Sequence, residues 1–213
     1  MQTCPLCDCV AVTAFFKDRL RPYYHCSQCT LIFADPSFQL SAEQEKKVYQ
    51  QHQNNPLDQG YRHFLNRLAA PLMAKLPAPP LYGLDFGSGP GPTLSVMLSE
   101  MGYNMTIYDP YFAYEPSVLR QEYDFVTCTE AIEHFNTPAK EWGQLVNLVK
   151  AGGWLGIMTK LAPNTDDFAH WYYKNDPTHV SFFSRETFRY LARRDGLEVE
   201  FVGNDVILLR KTQ

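Results

Sequence analysis

Two C-x-x-C pairs, Cys4/Cys7 and Cys26/Cys29, stand eighteen residues apart. Four thiolates at that spacing can surround one zinc ion tetrahedrally, the pattern of a zinc ribbon. The competing reading is a degenerate ribbon whose knuckles hold no metal. Cys9 breaks the C-x-x-C spacing, and Cys128 lies in an apolar run as a small core residue. A second concentration of chemistry is "LDFGSGPGPT", Leu84 to Thr93, where Gly87, Gly89 and Gly91 follow an apolar run that carries Asp85. Such a turn lets a ligand approach the backbone and the start of the next helix. It is a poor match to the dinucleotide fingerprint G-x-G-x-x-G, because the third glycine comes one residue early and Pro92 takes its place. No G-K-S or G-K-T follows, so a P-loop is excluded. Asp109, at the end of "TIYDP", falls at the tip of the neighbouring strand, where an acid can accept from both hydroxyls of a ribose. Together they point to an adenosyl ligand without a pyrophosphate.

A third group lies in "TEAIEHF" and "HWYYKNDPTHVSFFS". Glu130, Glu133, His134 and His179 offer two carboxylates and two imidazoles, a set suited to a divalent ion that lowers the pKa of a hydroxyl. In the other reading His134 or His179 is a general base without metal, and Glu130 closes a capping box with Thr127 at a helix start. Trp171, Tyr172 and Tyr173 are either the wall of an acceptor pocket or part of a core and lid. Tyr61 and Arg62 either reach a ligand carboxylate or lie on an exposed helix face.

The elements that must position these groups follow from composition and period. With 213 residues, 45% hydrophobic, 20% charged and a net charge of -4, the chain is a globular protein with no general electrostatic reason to hold nucleic acid. The start lacks a signal-peptide pattern, and no run approaches the roughly 20 apolar residues of a membrane helix, so a cytoplasmic protein is expected. Residues 1–38 form the ribbon, with a hairpin in "AVTAFFKDRLRPYY". Residues 39–80 form a helical linker and lid, in which Pro71 is expected to kink or divide a helix. Residues 81–213 alternate strands at 81–86, 103–108, 123–129 and 154–159 with helices at 93–101, from about Glu130, and from Ser184 to Gly196. A Gly-Gly stop precedes the strand at Trp154, and a hairpin closes the chain. This is an α/β chain with a doubly wound, mostly parallel Rossmann-like sheet and a C-terminal antiparallel hairpin.

From Tyr61 onward the chain resembles the class I S-adenosylmethionine-dependent methyltransferases, whose first motif, acid-x-G-x-G-x-G, is matched by Asp85, Gly87, Gly89 and Gly91. "YDFVTCTEAIEHF" is similar to that family's fourth strand and following segment, and "LVKAGGWLGIMT" to its fifth strand region. "YYHCSQCTLIFADP" resembles the zinc knuckle that precedes many bacterial small-molecule methyltransferases. The resemblance implies that Gly87, Ser88 and Gly89 pass beneath the methionine part of the cofactor and that Asp85 holds its amino group. It implies further that Asp109 takes the ribose, and it places Gly91 and Glu130 on the cofactor side. One departure is the short segment between Asp109 and Tyr123, too short for the family's third strand. Tyr111, Phe112 and Tyr114 are then either the adenine's stacking partners or anchors of a surface loop. E-x-x-E-H with a later histidine resembles ubiquinone-pathway O-methyltransferases and small-RNA 2'-O-methyltransferases. The expected function is methyl transfer to oxygen of a small or carrier-bound metabolite. The alternatives are an RNA methyltransferase that reads its substrate with the ribbon, a non-catalytic cofactor-binding scaffold and, disfavoured by Pro92, a nicotinamide oxidoreductase.

Overall fold

The computed structural model describes residues 2–51 and 54–212. The N-terminal part folds as strands β1 (Val12–Lys17), β2 (Pro22–Cys26) and β3 (Ile32–Ala34), followed by helices α1 (Ala42–Tyr49) and α2 (Gln59–Met73). Then come β4 (Tyr82–Phe86), α3 (Thr93–Glu100), β5 (Asn104–Tyr108), β6 (Tyr123–Thr129), α4 (Pro138–Asn147) and β7 (Val149–Met158). The chain ends with α5 (Thr165–His170), β8 (Ser181–Phe182), α6 (Arg185–Asp195), β9 (Leu197–Val202) and β10 (Val206–Lys211). Among the described residues no helix is long and apolar enough to cross a membrane.

The larger sheet has the order β5-β4-β6-β7-β10-β9. Its first four strands are parallel, and β10 runs antiparallel to both β7 and β9. Parallel strands covered on both faces are mostly apolar, and in β6 Tyr123, Phe125, Val126 and Cys128 are all buried. Leu65, Leu68 and Leu72 of α2 pack with Phe125, Met158 and Leu208 on one face. Trp142 and Leu145 of α4 and Phe188 and Leu191 of α6 fill the other face with Val126, Ile157 and Leu209. Among the described residues no strand pairs with the outer edge of β5, where the resembled family has its third strand, as the short segment after Asp109 predicted.

The smaller sheet, β1-β2-β3-β8, joins the ribbon to a strand from the far end of the chain. Cys4, Leu6, Cys26, Cys29, Leu31 and Phe33 share one apolar core with Trp142, Phe183 and Phe188. The ribbon therefore has no separate core on this side.

Four local expectations are corrected. Pro71 does not divide α2, because it falls in the last turn, where the bond it removes is one of the helix's last. The helix expected from Glu130 does not form there: Glu130 has φ 47°, a single 3-10 turn follows at Ile132–His134, and α4 begins only at Pro138. Thr127 remains in β6 and donates its hydroxyl to Asp85, so it makes no capping box with Glu130. Finally, β7 begins at Val149 and takes the Gly-Gly pair into the strand, at an irregularity in its register with β6.

Candidate active site

A cavity of about 550 Å³ opens at the carboxyl ends of β4, β5 and β6, where an open parallel sheet receives its ligands. Asp85, Gly87, Ser88, Gly89, Gly91, Asp109 and Glu130 all line it. Asp85 is buried and accepts the Thr127 hydroxyl at 2.7 Å. Burial pushes its carboxyl up to about 6; the Thr127 bond opposes that rise and the charge of Asp109 adds to it. Asp109 holds the loop together by accepting the N–H of Gly89 at 2.9 Å through one oxygen and those of Tyr111 and Phe112 at 2.8 and 3.0 Å through the other.

The glycines of this loop have separate reasons. Gly87 has φ 76° and would set a Cβ 2.7 Å from that of Ala131, so the turn and the segment after β6 meet only because it has no side chain. Gly91 faces its own protein: a Cβ there would lie 1.9 Å from the Asn54 carbonyl oxygen, which also accepts from the Thr93 hydroxyl at 3.2 Å. The chain at Asn54 thus crosses the third glycine, an approach that sequence reasoning did not foresee.

Two further groups on α1 were missed. Buried Glu45 accepts the Tyr111 hydroxyl at 2.6 Å and the Asn136 amide at 2.9 Å, and the Tyr49 ring lies 5.1 Å from that of His134. Their i,i+4 spacing, which puts both on one helix face, was the available signal. Of the three aromatics after Asp109, Tyr111 and Phe112 line the cavity, while Tyr114 is 69% exposed. Tyr61 lines it as well, whereas Arg62 pairs with Glu100. Trp171 packs on Phe168 and Phe182, and Tyr172 is exposed beneath Lys160, so neither forms a wall of the cavity.

Glu133, His134 and His179 converge, each offering a ligand atom within 4.8 Å of the others; Glu130 stands outside that group. His134 Nδ1 lies 3.1 Å from the Thr178 carbonyl oxygen and His179 Nδ1 2.7 Å from that of Tyr173. A carbonyl only accepts, so both Nδ1 atoms carry the proton and both Nε2 atoms keep a free lone pair. Glu133 accepts the Thr159 hydroxyl at 2.9 Å through one oxygen and the Tyr173 hydroxyl through the other. The same tyrosine lies 3.2 Å from Glu130, which its left-handed backbone turns toward the cluster. Burial raises Glu130 to about 8, with the Glu133 charge adding, and raises Glu133 to about 7. Burial also lowers both histidines, His179 to about 3 with the help of His134. The imidazoles are therefore neutral, the form that ligates metals and accepts protons.

At the ribbon, Sγ of Cys4 lies 3.5 Å from that of Cys29, and Cys7 the same distance from Cys26. All four sulfurs fall within 4.8 Å of one another. Zn–S bonds of about 2.3 Å require S···S edges of about 3.8 Å, so the four residues present fit a tetrahedral zinc site.

The family described as "Methyltransferase domain" matches residues 49–201, more than two thirds of the chain. Among solved structures, the chain is similar to magnesium protoporphyrin IX methyltransferase from Synechocystis PCC 6803 with bound SAH (TM-score 0.54, 14% identity), which covers 79% of this chain and 93% of that one. It is also similar to an O-methyltransferase family protein from Burkholderia thailandensis (TM-score 0.52, 17% identity), covering 82% of this chain and 63% of that one. At these identities the likeness is one of fold. No curated protein matches the chain in sequence.

Proposed function

This chain belongs to the methyltransferase-domain family, and we propose that it transfers the methyl group of S-adenosylmethionine to an oxygen of a small or carrier-bound metabolite. The carrying observation is that the glycine loop with its two acids and the Glu133–His134–His179 cluster open onto one cavity. The cavity also fits the cofactor by its unmet bonds: Ser88 Oγ, Thr129 Oγ1 and Asn136 Oδ1, on three residues that line it, have no partner among the described residues. In this reading Asp85 receives the cofactor's amino group, Gly87, Ser88 and Gly89 lie beneath its methionine part, and Asp109 takes the ribose. Gly91 supports the loop, Phe112 and Tyr111 border the adenine, and Glu130 closes the methionine side. The cofactor supplies an electrophilic methyl group on a sulfonium.

The protein's part is to align an acceptor, exclude water and take a proton from the acceptor hydroxyl. One buried carboxylate and two neutral imidazoles held by carbonyls also fit a divalent cation, which would make a bound hydroxyl more acidic. Glu133, His134 and His179 would hold it, and His179 Nε2 is the proton acceptor if the site works without one. Zinc at Cys4, Cys7, Cys26 and Cys29 is structural in this reading.

Calorimetric titration with S-adenosylmethionine and, separately, NAD tests the cofactor. Binding of the first alone is expected, weakened about 10- to 100-fold in Asp109→Ala, since charge-assisted hydrogen bonds contribute about 1.5–3 kcal/mol. NAD binding, or no binding of S-adenosylmethionine, would sink the proposal. Methylation confined to amine acceptors in a mixed hydroxyl and amine panel would overturn the assignment to oxygen.

The pH dependence of binding follows from Asp85. Its carboxylate holds an ammonium group by a charge-assisted bond that the neutral acid lacks, so affinity should fall, by at most about tenfold per pH unit, below about 6 and level off above it. For stability the sign is opposite. The unfolded carboxyl ionises near 3.9 and the folded one near 6, so the ligand-free fold loses stability as pH rises between them, and bound cofactor restores it. Asp85→Asn should bind weakly with no pH step; a step that survives in this variant assigns the titration elsewhere.

A further inference from the structure

Arg21 lies in the turn before β2 of the ribbon, and is 4% exposed. Its guanidinium reaches across to the segment that carries His179. Nη1 donates to the Pro177 carbonyl at 2.9 Å. Nη2 donates to those of Lys174, Asp176 and His179 at 3.0, 2.8 and 2.7 Å, and Nε to the Tyr23 hydroxyl at 3.1 Å. Two more carbonyls of the same loop, Tyr173 and Thr178, receive the Nδ1 protons of His179 and His134. Six carbonyls between residues 173 and 179 thus turn inward, four onto one cation and two onto the histidine pair. Inward-pointing carbonyls repel one another and need donors when buried; the Asp176 and Lys174 carbonyls also accept the His179 N–H and the Tyr23 hydroxyl, each at 3.2 Å, and a cation with a planar fork of donors ties the whole set together.

We propose that Arg21 is a positioning residue for the acceptor side of the cavity: it holds the 173–179 loop so that the Tyr173 and Thr178 carbonyls fix the tautomers of His179 and His134. β2 runs from Pro22, the residue after Arg21, to Cys26, so the cysteine cluster lies at the far end of the strand that this arginine precedes. The ribbon then acts as a brace on the chemistry rather than as a reader of the acceptor. Its consequence for turnover rests on the methyl-transfer reading above; the geometric claim does not.

The test compares the full-length, zinc-loaded protein with Arg21→Gln and Arg21→Lys. Long-range ¹H–¹⁵N correlation spectra report the tautomers, hydrogen exchange reports the amides of residues 173–180, and neither requires acceptor or divalent ion. In the wild type both rings should show a protonated Nδ1 and a bare Nε2. Arg21→Gln should give mixed tautomers, at least tenfold faster exchange confined to the loop, and a kcat lowered about 10- to 100-fold with S-adenosylmethionine affinity within twofold. Arg21→Lys, with three donors for the same carbonyls, should fall between. Unchanged tautomers and exchange in Arg21→Gln would overturn the proposal, as would a parallel loss of cofactor affinity. If the glutamine variant does not fold, the lysine variant carries the test, and wild-type exchange in its loop is the overturning result. A tautomer response in a protein that transfers no methyl group would refute the reaction and leave the positioning role standing.

Discussion

His179→Ala is expected to lower kcat about a thousandfold while leaving the dissociation constant for S-adenosylmethionine within twofold. Loss of the acceptor proton, assisted by a base or by a bound cation, contributes about 10²- to 10⁴-fold, and the buried neutral imidazole suits the ligand role better, since a ring held that far below its usual range is a weak base. Its Nδ1 is committed to the Tyr173 carbonyl, its ring is neutral because burial holds it well below its usual range, its Nε2 lies 3.9 Å from the Asp176 carboxylate, and one of its ring nitrogens falls within 4.8 Å of ligand atoms of Glu133 and His134. The glycine loop and its acids are built on other strands, so cofactor binding should survive. Glu133→Gln should produce a similar loss, because it removes a charge and disturbs the bonds from Thr159 and Tyr173 together. Single-turnover rates beside calorimetric affinities decide the matter. A rate within tenfold of wild type in both variants would show that the chemistry does not pass through this cluster.

The second large effect concerns the cysteines. The purified chain should hold one zinc per molecule, and replacing Cys26 and Cys29 together by serine should abolish that content and lower the melting temperature by about 10–20 °C. Structural zinc in small ribbons binds with about 10–16 kcal/mol, of the same order as the whole stability of a domain. Even if only about 5 kcal/mol of it is lost from the native state, a chain of this length shifts by about 2–4 °C for each. The loss should appear in the single main transition, because Cys4, Leu6, Leu31 and Phe33 pack into the same core as Trp142 and Phe188. Metal analysis with scanning calorimetry checks both parts. A wild type without zinc, or a double variant whose main transition is unmoved, would contradict the structural role.

What could be read in advance was what is encoded locally. Strands β4 and β6 are short apolar runs that helices must cover on both faces, and α6 announces itself with Ser184 at one end and Gly196 at the other. Asp85 and Asp109 were legible because a parallel sheet puts successive strand tips side by side, whatever the loops between them do. The left-handed backbone at Glu130 was not, since it depends on a bond from its N–H to the Met158 carbonyl, on another strand. Glu45, Asn54 and Arg21 escaped for the same reason: their partners lie at Tyr111, Gly91 and the 173–179 loop, and no window of neighbouring residues contains the pair. Gly91 shows how such a contact can mislead, since its missing side chain makes room for another stretch of the chain rather than for a ligand.

The pairing of β3 with β8 also sets an order of events during synthesis. The ribbon's cysteines leave the ribosome first, yet Ser181 and Phe182, which complete its sheet, follow roughly 150 residues later. At about 5–20 residues per second that is an interval of roughly 8–30 s. For that time Leu31 and Phe33 lack the surface that will bury them, and four thiols sit in an unfinished fold. If the four cysteines take zinc, as proposed, capture in this interval is expected to set the yield, and a zinc-poor culture should depress soluble yield more than it depresses the activity of the molecules that do fold.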